Sequence, residues 1–126
     1  MPSDTAVAMT LRSLQQALAQ FAVEREWEQF HTPKNLAMAL AGESGELLEI
    51  FQWLTPEQSA DVMQDSERAV QVREEMADVL AYLLRLADVL DVDLEQALAD
   101  KIVKNRRKYP VHLAQGKADK YTQLGG

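Results

Sequence analysis

Cysteine is missing altogether from the 126 residues. That rules out a disulfide framework and any thiolate metal site, and it fits a reducing cytoplasm, the expected location. Aromatic residues are scarce, at 6%, so each Trp, Tyr and Phe invites a question about its purpose. Prolines occur only at 2, 33, 56 and 110, where they act as punctuation. Sustained alternation of apolar and polar residues is absent, which argues against a sheet. No apolar run approaches the roughly 20 residues needed to span a bilayer, and no membrane partner is expected. The first twenty residues lack a basic head followed by an apolar block, so no signal peptide is expected either. Positive charge is also in deficit: 13 Lys and Arg face 20 Asp and Glu, for a net charge of −7. Phosphate contacts to nucleic acid rest on Lys and Arg, so nucleic acid is not an expected partner. A compact anionic ligand remains open, provided positive charge is gathered locally or supplied by a metal.

What is present is helical periodicity. The length and the 47% apolar fraction suit a single soluble domain over 1–126, with its core at about 10–110. Thr10 can cap a first helix from about Leu11 to Glu28, with a stripe of Leu11, Leu14, Leu18 and Phe21. Thr32-Pro33 opens a second, an N-cap followed by proline at the first helical position, running to about Leu54. Glu57 to about Ser66 reads as a loop or broken turn. A third helix spans about Glu67 to Leu90, with Val72, Met76, Val79, Leu83, Leu86 and Leu90 at spacings of four and three. Asp93-x-x-Gln96 resembles a capping box for a fourth, which ends at Tyr109-Pro110. The tail 111–126 has no pattern. Four amphipathic helices with short connections make an all-α helical bundle.

Projection at 100° per residue exposes carboxylates in unexpected places. With Glu43 at 0°, Leu36 and Leu54 fall at about 20°, Leu47 at about 40° and Ile50 at about 340°. Glu43 therefore lies inside the apolar stripe, and Glu46 lies on its edge at about 300°, beside Trp53 at about 280°. On the third helix, with Glu75 at 0°, Val79 falls at about 40° and Val72 at about 60°. Asp78 falls at about 300° and Tyr82 at about 340°, on the same flank. Each helix so presents two carboxylates one turn apart, and antiparallel packing would bring Glu43/Glu46 and Glu75/Asp78 together. Four carboxylates beside a core repel one another and each loses hydration. A divalent cation removes both objections, and an all-oxygen set suits Mg²⁺, Mn²⁺ or Ca²⁺ better than Zn²⁺. A di-iron bundle needs Glu-x-x-His pairs, and His31 and His112 are wrongly spaced for them. The bland alternative is that E-x-x-E pairs are solvated helix faces. Gly42 and Gly45 each cost about 1 kcal/mol inside a helix; they serve either close helix packing or close approach at the acidic cluster.

Lys101, Lys104, Arg106, Arg107 and Lys108 crowd the end of the fourth helix. Cations there pair with the helix C-terminus. Lys101, Asn105 and Lys108 also share one face and could clamp phosphate. A nucleic-acid patch is the weakest reading, given the charge and the lack of interleaved aromatics. Trp27, Phe30, His31 and Trp53 flank the second helix, where they either stack on a base or cap the core.

The order Trp27-Glu28-Gln29-Phe30-His31-x-Pro33-Lys34-Asn35-Leu36, then Gly42-Glu43-Ser44-Gly45-Glu46-Leu47 and Phe51-Gln52-Trp53, is distinctive. So is Glu74-Glu75-x-Ala77-Asp78-Val79-x-x-Tyr82-Leu83, followed by Lys101-x-x-x-Asn105-Arg106-x-x-Tyr109-Pro110. Over about residues 10 to 115 the chain resembles the MazG-like all-α nucleoside triphosphate pyrophosphatases, and within them the dCTP pyrophosphatase branch. The acidic pairs mark the superfamily; the W-E-Q-F-H-x-P and N-R-x-x-Y-P segments favour the branch. The resemblance implies cleavage of a (deoxy)nucleoside triphosphate to monophosphate and pyrophosphate, in house-cleaning of the nucleotide pool. It implies Mg²⁺, with Mn²⁺ as a substitute, held by Glu43, Glu46, Glu75 and Asp78 as the catalytic set. It implies a base pocket of Trp27, His31 and Trp53, phosphate contacts from Lys101, Asn105, Lys108 and Tyr109, and a homodimer or homotetramer. One departure is Leu18, where mammalian members of the branch carry a histidine. A phosphoribosyl-ATP pyrophosphohydrolase-like enzyme and a non-catalytic oligomerisation or metal-binding module remain the alternatives.

Overall fold

The computed structural model describes residues 9–118, and every regular element among them is helical. Six α-helices run α1 (Leu11–Glu24), α2 (Pro33–Phe51), α3 (Pro56–Ala60), α4 (Ser66–Val89), α5 (Leu94–Lys108) and α6 (Val111–Ala114), with 3₁₀ turns at Glu28–Phe30 and Val62–Gln64. The chain divides into two compact units, one ending at Asp91 and the other beginning at Val92. The all-α class expected from the sequence is found. The four expected helices are α1, α2, α4 and α5, the first three in one unit and α5 in the other.

Local chemistry sets the helix starts. Thr10 accepts from the Ser13 N–H at 3.1 Å, and Ser13 Oγ returns the favour to the Thr10 N–H. This capping box satisfies donors that have no partner inside the helix. Thr32 caps α2 through the Asn35 N–H, with Pro33 at the first helical position. Asp93 caps α5 through the Gln96 N–H. Gln96 does not reach back, however; its amide donates to Asp100 Oδ1 at 2.8 Å.

Two expectations need correction. Glu57–Ser66 is not a loop. Thr55 and Gln58 form a full capping box with Pro56 at the first helical position, and α3 follows from it. The first helix also stops earlier than expected, at Glu24. The Trp27 N–H bonds the Ala22 carbonyl at 2.9 Å and the Glu26 N–H bonds that of Val23 at 3.1 Å. This is a Schellman closure with Glu26 at φ 54°, a left-handed position usually given to glycine. It turns the chain so that Trp27 leaves the helix axis.

In the first unit, α4 packs against both α2 and α1. His31, before α2, meets Arg85 near the end of α4, whereas Glu43, well inside α2, meets Glu75 nearer its start. The two helices are therefore antiparallel, as expected. The core is small: Ala22, Leu36, Val62, Ala69, Val72, Leu84 and Ala87 are the buried apolar residues. The stripes are wider than this core. Met76, Leu83 and Leu90 of the α4 stripe are exposed, as are Leu11 and Phe21 of α1. In the second unit α5 buries no residue, and Pro110 leads into the single turn of α6. Part of the patternless tail is therefore helical, and 119–126 lie outside the described residues. No described helix is long and apolar enough to cross a membrane.

Candidate active site

The first-unit helices bring the acidic residues to one point. Carboxylate oxygens of Glu43 on α2 and of Glu75 and Asp78 on α4 all lie within 4.8 Å of one another. Glu43 and Glu75 are half-buried and Asp78 is exposed. One oxygen of each glutamate, Glu43 Oε2 and Glu75 Oε2, is fully buried and finds no hydrogen-bond partner among the described residues. Glu46 is exposed on the next turn of α2 and still presses on this group.

The electrostatics follow from the crowding. The Glu43 carboxyl is pushed up from 4.5 to about 7, first by sharing a proton with Glu46, then by burial, by its bond to Glu75, and by the charges of Glu46 and Asp78. The Glu75 carboxyl is also raised, chiefly by burial, with Glu46 and Asp78 adding to the effect and its bond to Glu43 opposing it. Unpartnered buried carboxylate oxygens are costly, and like charges at this separation cannot all ionise freely. A hard divalent cation fits such a donor set: it accepts several oxygen ligands and restores the ionised forms. Glu43, Glu75 and Asp78 would hold it, with Glu46 at the rim.

Gly42 and Gly45 flank this cluster, and a methyl group added to either would meet nothing within 4 Å. Among the described residues nothing packs closely against them, and the space beside them is open.

The aromatic residues fall in two places. Trp27 makes edge-to-face contacts with Phe21, at 5.7 Å between centroids, and with His31, at 6.4 Å. Arg25 covers the Phe21 ring at 3.5 Å. Leu18, Phe21, Leu80 and Leu84 line an apolar groove of about 340 Å³ between α1 and α4. Phe30 is exposed and caps no core. Trp53 lies past the far end of α2 and is 85% exposed. Nineteen helical residues separate it from the Trp27–His31 pair, about 28 Å at 1.5 Å per residue. A single chain thus does not bring the expected base pocket together.

The basic residues belong to the second unit. Lys101, Asn105 and Lys108 share a face of α5, and the Tyr109 N–H closes the helix on the Asn105 carbonyl at 2.8 Å.

Two polar residues escaped the sequence reading. Arg85 is buried, at 9% exposure. Its Nε donates to His31 Nδ1 at 3.0 Å, and its Nη1 pairs with Asp88 Oδ2 at 3.1 Å. A signal was there: Arg85 is the one charged residue in the run from Val79 to Ala87. It also projects at about 280° on the α4 wheel, next to Asp78 at about 300°.

An all-helical chain in which an E-x-x-E helix and an E-x-x-D helix meet at a carboxylate cluster defines the class of α-helical proteins with an acidic centre. The MazG-like family model matches residues 39–124, and the chain belongs to that family. It is 49% identical over 116 residues to human dCTP pyrophosphatase 1, covering 91% of this chain and 68% of that one. It is 48% identical over 115 residues to the bovine dCTP pyrophosphatase 1, with the same coverage. A solved pyrophosphatase from Archaeoglobus fulgidus superposes with a TM-score of 0.75 at 40% identity, covering 86% of this chain and 99% of that one.

Proposed function

We propose that the chain is a divalent-metal-dependent nucleoside triphosphate pyrophosphohydrolase. Its product is the monophosphate plus pyrophosphate, its substrate dCTP or a modified dCTP, and its role the clearing of the nucleotide pool. The enzyme class rests on half-identity to dCTP pyrophosphatase 1 over most of the chain. The observation that carries the chemistry is the meeting of Glu43, Glu75 and Asp78, with two buried carboxylate oxygens lacking partners.

Glu43, Glu75 and Asp78 hold Mg²⁺, for which Mn²⁺ can substitute. When bound, the ion neutralises charge on the phosphate oxygens and on the departing pyrophosphate. Glu46 is exposed beside this cluster. It orients a water for in-line attack on the α-phosphorus and takes its proton, a role worth about 10²–10⁴ in rate. Lys101 and Asn105 contact the phosphates, with Lys108 and Tyr109 beside them. Trp27 and His31 contact the base from one side.

Trp53 lies too far along α2 to join them in the same chain, so it closes the pocket of a second copy. Self-association also answers the exposed apolar surface, which includes Met38 at 62% and Leu48 at 59%. The assembly is a dimer or a tetramer.

The test is a panel of canonical and modified (d)NTPs, together with phosphoribosyl-ATP, incubated with Mg²⁺ and assayed for monophosphate and pyrophosphate. Hydrolysis of cytosine deoxynucleotides ahead of the others, lost in Glu43→Gln, is the expected result. No turnover of any substrate would leave a non-catalytic helical module, and preference for phosphoribosyl-ATP would move the chain to another branch.

A further inference from the structure

Among the described residues Arg85 is the only charged one that is buried, and it sits within an apolar stretch of α4. A buried guanidinium is tolerated where its donors are matched. One match is ordinary: Asp88, three residues on, accepts from Nη1 at 3.1 Å. The other is not, because Nε donates to a ring nitrogen, Nδ1 of His31, at 3.0 Å.

The chemistry of that bond fixes the imidazole. An arginine has five N–H donors and no acceptor, and it stays charged. His31 Nδ1 must therefore offer its lone pair, and the single ring proton resides on Nε2. An imidazolium would set two N–H groups against each other beside a buried cation. The groups that face His31 act mostly in the same sense. Burial and the Arg85 charge lower its pKa, and Glu28, from the turn before α2, opposes them. Asp88 is paired to Arg85 itself. A carboxylate in the place of Arg85 would raise the basicity of the ring, as it does for metal-ligating or base-acting histidines. An arginine does the reverse, so His31 is built as a neutral donor and not as a cation for phosphate. Among the described residues no hydrogen bond from Nε2 is formed, and the ring lies edge to face with Trp27, a surface on which a base can stack.

We propose that Arg85 is a positioning residue that fixes His31 as the neutral Nε2–H imidazole, so that beside Trp27 the ring offers one hydrogen-bond donor to the nucleobase. The inference rests on the nucleotide reading above. It assigns to the site a base edge that presents an unprotonated ring nitrogen or a carbonyl oxygen, as the N3/O2 edge of cytosine does.

The chain has two histidines, so imidazole ¹⁵N spectra are readily assigned with a His112→Gln variant. At pH 6, long-range ¹H–¹⁵N correlations are expected to show His31 neutral with its proton on Nε2. Arg85→Met keeps side-chain volume but removes the donor. In it, the two tautomers mix and the His31 pKa rises. At pH 8, where the ring is neutral, KM for dCTP increases by the inverse of the fraction left as the Nε2–H form, about twofold for an even mixture, with kcat little changed. Wild-type protein with the proton on Nδ1, or with a charged His31 at pH 6, would overturn the assignment independently of any variant. A tautomer that mixes in Arg85→Met with no change in KM for dCTP would overturn the role in base binding. The spectra need no turnover. Failure of the pyrophosphatase reading appears separately, as wild-type protein that hydrolyses nothing.

Discussion

Glu43 shows how much one residue's setting can be read from its angle on a helical wheel. Placed at the centre of the α2 stripe by projection, it is half-buried with one oxygen wholly enclosed, whereas Glu46, projected on the edge, is exposed. Its carboxyl is raised from 4.5 to about 7, and the sign of the consequence is fixed. Between those values the folded state binds more protons than the unfolded chain, so without metal this group's contribution to stability is full below 4.5 and is lost as pH rises through 7. If the cluster holds Mg²⁺ as proposed, the ion would bind the ionised form, and its stabilising effect should grow as pH rises toward 7. Thermal unfolding in chelator and in Mg²⁺ across pH 5–8 checks both trends, which should run in opposite directions. Glu46→Gln is expected to lower kcat by about 10²–10⁴ with little change in KM. Steady-state kinetics on the preferred substrate measure it. Arg85 marks the limit of such reading. The wheel places it beside Asp78, but only the fold reveals that its partner is His31, 54 residues away in sequence.

At the scale of elements, starts were more legible than ends. Thr10, Thr32 and Asp93 each cap a helix where the sequence suggests, because a side-chain oxygen before an amphipathic run has one obvious use. Thr55-Pro56-x-Gln58 carries the same signature, but only five helical residues follow, and a polar stretch that short shows no periodicity. The end of α1 was not legible, since its left-handed residue is Glu26 where glycine would have announced it. Replacing Glu26 by Gly should relieve that strain and stabilise the protein by about 1 kcal/mol. Denaturant unfolding should show a higher midpoint with an unchanged slope. Thr55→Ala should cost about 1 kcal/mol by the same measurement, through the lost cap.

At the scale of the whole molecule, the four long helices and the all-α class were written in the 3.6-residue period, but the two short helices and the extent of the core were not. Apolar stripes state that a face wants cover; they do not state whether the cover comes from the same chain. Met38, Leu48, Met76 and Leu80 are left exposed by the described residues, and a second copy is the cover proposed. Sedimentation equilibrium should give a mass of two or four chains, and Leu48→Glu should shift it toward one.

The length of α2 has a genetic consequence. If the indole at its far end serves a neighbour's pocket, each functional centre draws on two polypeptides. Glu43→Gln and Trp53→Ala chains, each inactive by itself, would then complement each other when unfolded and refolded together. Every mixed pair would contain one centre assembled entirely from native parts, and half of the pairs formed from an equal mixture would be of that kind. Were the pocket built from one chain, the mixture would stay as inactive as its components.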